Sequence, residues 1–523
     1  MAVGCHLRSP ADQLDHRLSF EGVVPAGAAP SSRARTTVDA VGQNETNKRP
    51  AVSERSESAM TDRTTIRATR RNGPVPTTTG AITGGGHGVP QTSSAIDLSG
   101  ADYVEEEFFL SGTATSYEPD DEFGLDGHWS VKIDRTAPFT TRVLVRRPAD
   151  AAVFSGTCVV EWLNVTSLTD IDVEFGYLAE ELMRNGHVWV GVSAQAAGIN
   201  SDGGSDFGPS AVGLRAWDAQ RYQALSHPGD DFSYDIYSQV GRAVVSADVP
   251  LGGLAVDVLI AAGESQSAHR MVTYVNAIAP IDGVFDGYFI HSRFGNAAPL
   301  STEHPSAVPD AVRIRDDIDS PVMQVLTETD LLHMATSPET LITHFPPARQ
   351  PDSAVVCTWE VGGTSHADAE YLRLLTIQGN RQFSEFLDLS AVISMANDGP
   401  QKYVVRAAFS GLRRWIIDGT PLPGFGPIEV IDGAIVRDTH GNAVGGVRTP
   451  HVDVPIAILS GEGMGQIGRT VPFTTEQLER IYGNAESYRQ KFATAVDKAV
   501  SDGVFLAADV PEIMDSVSTI EFD

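Results

Sequence analysis

Val256-Asp257-Val258-Leu259-Ile260-Ala261-Ala262-Gly263-Glu264-Ser265-Gln266-Ser267-Ala268-His269-Arg270 is the stretch on which the architecture turns. It opens as a short apolar run of strand character, passes through a tight turn, and continues as the start of a helix. One serine, Ser265, sits on the turn. A serine so placed projects from a sharp strand-to-helix bend at the mouth of a sheet, with its Oγ exposed to a ligand. The pattern for such a bend is Gly-x-Ser-x-Gly, because strand and helix pass too closely for larger side chains. Here Gly263 supplies the first glycine, while Ser267, still small, replaces the second and Ala268 follows it. The competing reading is an ordinary strand-turn-helix in which the serine only caps the helix.

The flanking chain supports a sheet. Cys158-Val159-Val160-Glu161-Trp162-Leu163-Asn164-Val165, His187-Val188-Trp189-Val190-Gly191-Val192-Ser193, Pro321-Val322-Met323-Gln324-Val325-Leu326 and Ala354-Val355-Val356-Cys357-Thr358-Trp359-Glu360-Val361 are continuous apolar strands. Helical stretches separate them, including one over 173–185 with Asp172 as its cap and Gly186 after it. Continuous apolar strands alternating with helices imply a parallel sheet covered on both faces. Before them, 102–110, 129–133 and 140–148 alternate in polarity and read as antiparallel strands with one wet face. Residues 428–438 read as a hairpin about Asp432-Gly433, within an insertion near 425–450. Residues 475–498 read as one amphipathic helix capped by Thr474 or Thr475.

Residues 1–95 are rich in Ala, Ser, Thr, Arg, Gly and Pro, and their composition predicts a disordered extension ahead of one domain over 96–523. Met60 offers an alternative start of translation. The 523 residues suffice for a large core, with 41% hydrophobic, and the formal net charge is -30. That charge argues against a nucleic-acid partner, since phosphates would be repelled. Three cysteines, Cys5, Cys158 and Cys357, make no disulfide framework, and no Cys-x-x-Cys or His-Glu-x-x-His pattern calls for a metal. The first twenty residues hold no apolar run of signal-peptide length, and no eighteen-residue apolar stretch occurs. The expectation is a cytoplasmic protein without a membrane span.

A serine hydroxyl is a poor nucleophile near neutral pH and needs a base, which in turn needs an acid to orient it. The strand ending at Leu326 runs into Thr327-Glu328-Thr329-Asp330, so Glu328 and Asp330 both leave the sheet edge that carries Ser265. Asp330 is preferred as the acid and Glu328 is the alternative; a carboxylate there can equally be a turn or cap residue. After the next strand, Gly362-Gly363-Thr364-Ser365-His366-Ala367-Asp368 places His366 on a glycine-rich loop where the base belongs. His269, His291, His333 and His344 compete, each read as a surface or packing histidine. An oxyanion hole would draw on the Gln266 N–H and on a donor after the first parallel strand: the Asn164 or Val165 N–H, or the Asn164 side chain. For Asn164 a turn-forming role weighs equally. Segment 213–240 carries Trp217, Tyr222, Phe232, Tyr234 and Tyr237, either as a lid or acyl pocket or as ordinary aromatic packing.

Taken in order, Val159-Val160-Glu161-Trp162-Leu163-Asn164-Val165, Gly191-Val192-Ser193-Ala194-Gln195, Arg221 through Asp230, Gly263-Glu264-Ser265-Gln266-Ser267 and Thr327-Glu328-Thr329-Asp330 resemble a bacterial group of large α/β-hydrolase-domain proteins. The resemblance runs from about residue 103 to about 515. The Gly-Glu-Ser segment is also similar to the elbow of carboxylesterases. The resemblance implies an α/β-hydrolase fold and a serine hydrolase using Ser265, Asp330 and His366, without metal or organic cofactor. It leaves the substrate open beyond a small-molecule ester, and the oligomeric state as well. Acyl transfer on the same residues, and a non-catalytic binder on this scaffold, are the alternatives.

Overall fold

The computed structural model describes residues 72–203, 211–246, 250–301, 308–332, 344–383, 388–463 and 465–522. Nine strands form one sheet: β1 Thr77–Gly80, β2 Tyr103–Pro119, β3 Val131–Pro148, β4 Thr157–Trp162, β5 Val188–Val192, β6 Val258–Glu264, β7 Gly287–His291, β8 Val322–Thr327 and β9 Val356–Val361. Their spatial order is β1-β2-β3-β5-β4-β6-β7-β8-β9. The first three strands and the β3–β5 junction pair antiparallel, and every pairing from β5 to β9 is parallel. The fold is therefore an α/β-hydrolase sheet with an antiparallel N-terminal flank.

Seven longer helices matter here: α1 Val173–Arg184, α2 Ser233–Val245, α3 Gln266–Thr273, α4 Ala369–Gln382, α5 Gln401–Asp418, α6 Thr475–Tyr482 and α7 Ala485–Ser501. Side chains alternate across a strand, so each strand feeds two cores. Val159, Ile260, Phe289, Met323 and Trp359 pack with residues of α1, α4, α5 and α7 on one face. Val160, Leu259, Ala261, Ile290 and Val322 pack with α2 and α3 on the other. Among the described residues, no helix is long and apolar enough to cross a membrane.

Several local expectations change. Residues 72–95, read with the disordered extension, carry β1 and are pinned from within: Arg142 donates to the Gln91 carbonyl and Arg146 to that of Thr92. Residues 1–71 lie outside the described residues. The strands expected at 129–133 and 140–148 are one strand, because pairing with the equally long β2 carries the chain straight through. Asp172 does not cap α1. It accepts from Arg146 and Gln378, and the buried Glu161 of β4 instead receives the first N–H groups of the helix, from Glu174 at 2.9 Å and Phe175 at 3.0 Å. The helix read over 475–498 is broken at Gly483, whose φ of 83° ends α6, and Asn484 then caps α7. The hairpin about Asp432-Gly433 is present but only two residues long per strand, Val430–Ile431 and Ala434–Ile435.

The aromatic side chains of segment 213–240 are buried. Tyr222, Tyr234 and Tyr237 are fully buried, Phe232 and Trp217 nearly so, and the Tyr237 hydroxyl donates to the Val160 carbonyl of the sheet. Rings of this size bring much apolar area out of water when they pack against the sheet.

Candidate active site

Ser265 stands between β6 and α3 with φ 56° and ψ −117°. Such a conformation costs a non-glycine residue about 1–3 kcal/mol and persists only where the surroundings impose it. They do so here. The Ser265 N–H donates to the His291 carbonyl of β7, and its own carbonyl accepts from His269 N–H one turn on. Gly263 is required by contact, since a Cβ there would lie 2.9 Å from Met271 Cγ and 3.1 Å from the Ser267 backbone. Ser267 fits the position where a second glycine was expected and is wholly buried.

Three side chains meet at the carboxyl edge of the sheet. Ser265 Oγ lies 2.6 Å from His366 Nε2. His366 Nδ1 lies 2.7 Å from Asp330 Oδ1. The other oxygen of Asp330 accepts from the Thr327 N–H at 2.7 Å and the Thr327 hydroxyl at 2.9 Å, a reciprocal cap that fixes the carboxylate on the turn after β8. His366 rides the loop after β9, and its neighbours tie that loop to the C-terminal part of the chain: Ala367 N–H donates to the Gln466 carbonyl and the Ser365 hydroxyl to that of Ile467. Burial works against the charged form of His366, but the Asp330 carboxylate, joined by Glu264, outweighs it and raises the imidazole above its ordinary value.

Glu328 points elsewhere. Its carboxylate accepts from Gly363 N–H at 2.7 Å, Gly461 N–H at 2.9 Å and Arg437 at 2.8 Å, with none of its atoms on the histidine. Of the expected oxyanion donors, Asn164 is committed: its N–H donates to the Ile171 carbonyl, its side-chain amide to the carbonyl and carboxylate of Glu264, and its Oδ1 accepts from Thr166 N–H. Val165 follows directly on the same loop, and Gln266 opens α3, where first-turn N–H groups have no intrahelical acceptor. Among the competing histidines, His269 is buried one turn beyond Ser265, and burial, with Arg270 and Arg293 nearby, pushes it down to about 3. His344 is half-buried, and His333 lies outside the described residues.

A family profile described as an alpha/beta hydrolase domain matches residues 72–515. The chain belongs to the alpha/beta hydrolase family. No curated protein sequence matches this alpha/beta hydrolase. Solved structures it resembles include the glucuronoyl esterase from Solibacter usitatus, at 11% identity and TM-score 0.25, covering 53% of this chain and 76% of that one. The esterase Est22 is 14% identical at TM-score 0.24, covering 52% and 72%. The rice cell wall degrading esterase LipA from Xanthomonas oryzae is 13% identical at TM-score 0.22, covering 37% of this chain and 43% of that one, less than half its length. Likenesses this distant carry no weight for activity; the family match and the strand order carry the assignment.

Two groups around the site escaped the reading of the sequence. Glu264, given no role there, puts Oε1 3.6 Å from His366 Nε2. Burial pushes its carboxyl up to about 7, with His366 and His291 pulling the other way. His291, read as a surface or packing histidine, is fully buried at the end of β7 with Nδ1 3.3 Å from Glu174 of α1. Burial opposes its protonation, and Glu174 more than offsets that, raising its value. The apolar run Gly287-Tyr288-Phe289-Ile290-His291 was the legible sign of β7, and with it of this neighbour.

Proposed function

We propose that the protein is a serine hydrolase that cleaves a carboxylic ester through an acyl-enzyme. The 2.6 Å and 2.7 Å contacts that link Ser265, His366 and Asp330 in series carry this reading. His366 Nε2 takes the Ser265 proton as Oγ attacks the ester carbonyl. Asp330 keeps Nδ1 protonated, so that Nε2 is free to act as base, and balances the imidazolium that forms. The N–H groups of Gln266 and Val165 bind the oxyanion, with the amino end of α3 adding its positive field. The imidazolium then protonates the departing alkoxide, and the alcohol leaves. Water enters, gives a proton to Nε2, and attacks the acyl carbon; Ser265 recovers its proton as the acid departs.

Hydrolysis of p-nitrophenyl acetate and butyrate by the wild type and by Ser265→Ala tests the reading, together with fluorophosphonate labelling. The expected result is turnover and labelling in the wild type and neither in the variant. Equal turnover in both proteins would refute it.

A further inference from the structure

Resting on that reading, we propose that Glu264 is a further catalytic residue, which holds the hydrolytic water during deacylation. A water that attacks an acyl-enzyme has two O–H bonds. One points at the general base. The second also needs an acceptor, or the oxygen is free to swing off the line of attack. Glu264 Oε1 is 3.6 Å from His366 Nε2, a separation that one water oxygen bridges with hydrogen bonds of ordinary length.

The carboxylate is fixed for this task. Glu264 closes β6, directly before the nucleophile, and is 5% exposed. Asn164 Nδ2 donates at 3.3 Å to both the Glu264 carbonyl and Oε2, which turns Oε1 toward the histidine. His291 stands opposite Glu264 in the strand register, with Glu174 beyond it. The titratable groups around Glu264 include His366 and Asp330 on the site side, His291 and Glu174 on the sheet side, and the Tyr177 and Tyr371 hydroxyls.

In the step itself, water oxygen forms the new bond to the acyl carbon and gives one proton to His366 Nε2. Its second proton stays on that oxygen, hydrogen-bonded to Glu264 Oε1. When the tetrahedral species collapses, the bond from carbon to Ser265 Oγ breaks and Oγ takes the proton from Nε2. The carboxylic acid leaves with its hydroxyl proton. Acylation has no such water, so the contribution of Glu264 falls on the second half-reaction alone.

Rapid mixing of p-nitrophenyl acetate with the wild type and with Glu264→Gln, followed by intact-mass analysis of acid-quenched samples, separates the two halves. The amide keeps the shape and loses the charge. Losing a hydrogen bond to a charged group predicts deacylation slower by about 10- to 100-fold, with acylation within about threefold of the wild type. Acetylated enzyme therefore accumulates in the variant. Glu264→Asp, which keeps the charge but withdraws it by one methylene, is expected to show the same split if Glu264→Gln does not fold. A proportional fall in both phases, or an unchanged steady state, would overturn the proposal. Failure of the hydrolase reading itself looks different: Ser265→Ala would then turn over like the wild type.

Discussion

Glu328 and Asp330 leave the same strand, two residues apart, and both are fully buried, yet they do opposite things. Asp330 faces a histidine that can take and give back a proton. Glu328 faces two backbone N–H groups and an arginine, none of which can. Burial raises the Glu328 carboxyl, and Arg437 and the two N–H groups only partly offset it. The difference teaches that burial close to the serine does not by itself join an acid to the serine–histidine pair. The partner decides, because only a titrating partner converts the charge into a movable proton.

The largest effects are expected at the proposed base and nucleophile. His366→Ala is expected to lower kcat/KM by about 10⁴-fold or more, as is Ser265→Ala, because residues acting as a unit fail together. Asp330→Asn should lower it by about 10³- to 10⁴-fold through the wrong imidazole tautomer, with the thermal midpoint little changed. Retention of activity in Asp330→Asn would move the acid elsewhere. On the other side of the turn, Arg437→Met leaves Glu328 buried without its cation and is expected to destabilise the fold by about 3 kcal/mol in urea titration, with kcat/KM within tenfold. Glu328→Gln should cost less, about 1–3 kcal/mol, since the amide still accepts one of the N–H bonds. A collapse of activity in a folded Glu328→Gln would put both carboxylates in the chemistry.

The contrast extends to histidines. His187, with Nδ1 2.6 Å from the Ser155 hydroxyl, is pushed down to about 3 by burial, with Arg413 adding to the fall. A histidine lowered on folding binds fewer protons than it does unfolded. Its stability contribution is therefore whole above about pH 6.5 and drains away as the pH falls toward 3, by about 1.4 kcal/mol per pH unit. His187→Gln should flatten the decline in thermal midpoint between pH 7 and pH 5. Parallel declines in the two proteins would remove His187 as a cause.

Much of the site was legible because its signals are local. The Gly-Glu-Ser turn, the carboxylates after β8 and the glycine-rich loop after β9 each sit within a few residues of a recognisable strand. Asp330 could be preferred over Glu328 from its place after β8, but what engages Glu328 instead was hidden, since Arg437 and Gly461 lie over a hundred positions away. The true cap of α1 was hidden for the same reason: Glu161 lies on a strand and reaches the helix only once both are packed. Ordering of 72–95 rests on Arg142 and Arg146 from β3, so a composition that predicts disorder in isolation is overruled by long-range donors.

Those distant ties set a timetable. Gly461 packs so tightly on the β8 turn that a Cβ there would come within 2.5 Å of the Glu328 Cβ and of the Thr329 nitrogen. The His366 loop leans on Gln466 and Ile467 as well. During synthesis the serine leaves the ribosome about two hundred residues ahead of these props, on the order of 10 to 40 s at ordinary elongation rates. Throughout that interval the bonds from the Glu328 turn to Gly461 and from the His366 loop to Gln466 and Ile467 are still unmade. The surroundings of Ser265 are therefore completed late, by contacts that close only once residues 461–467 are in place.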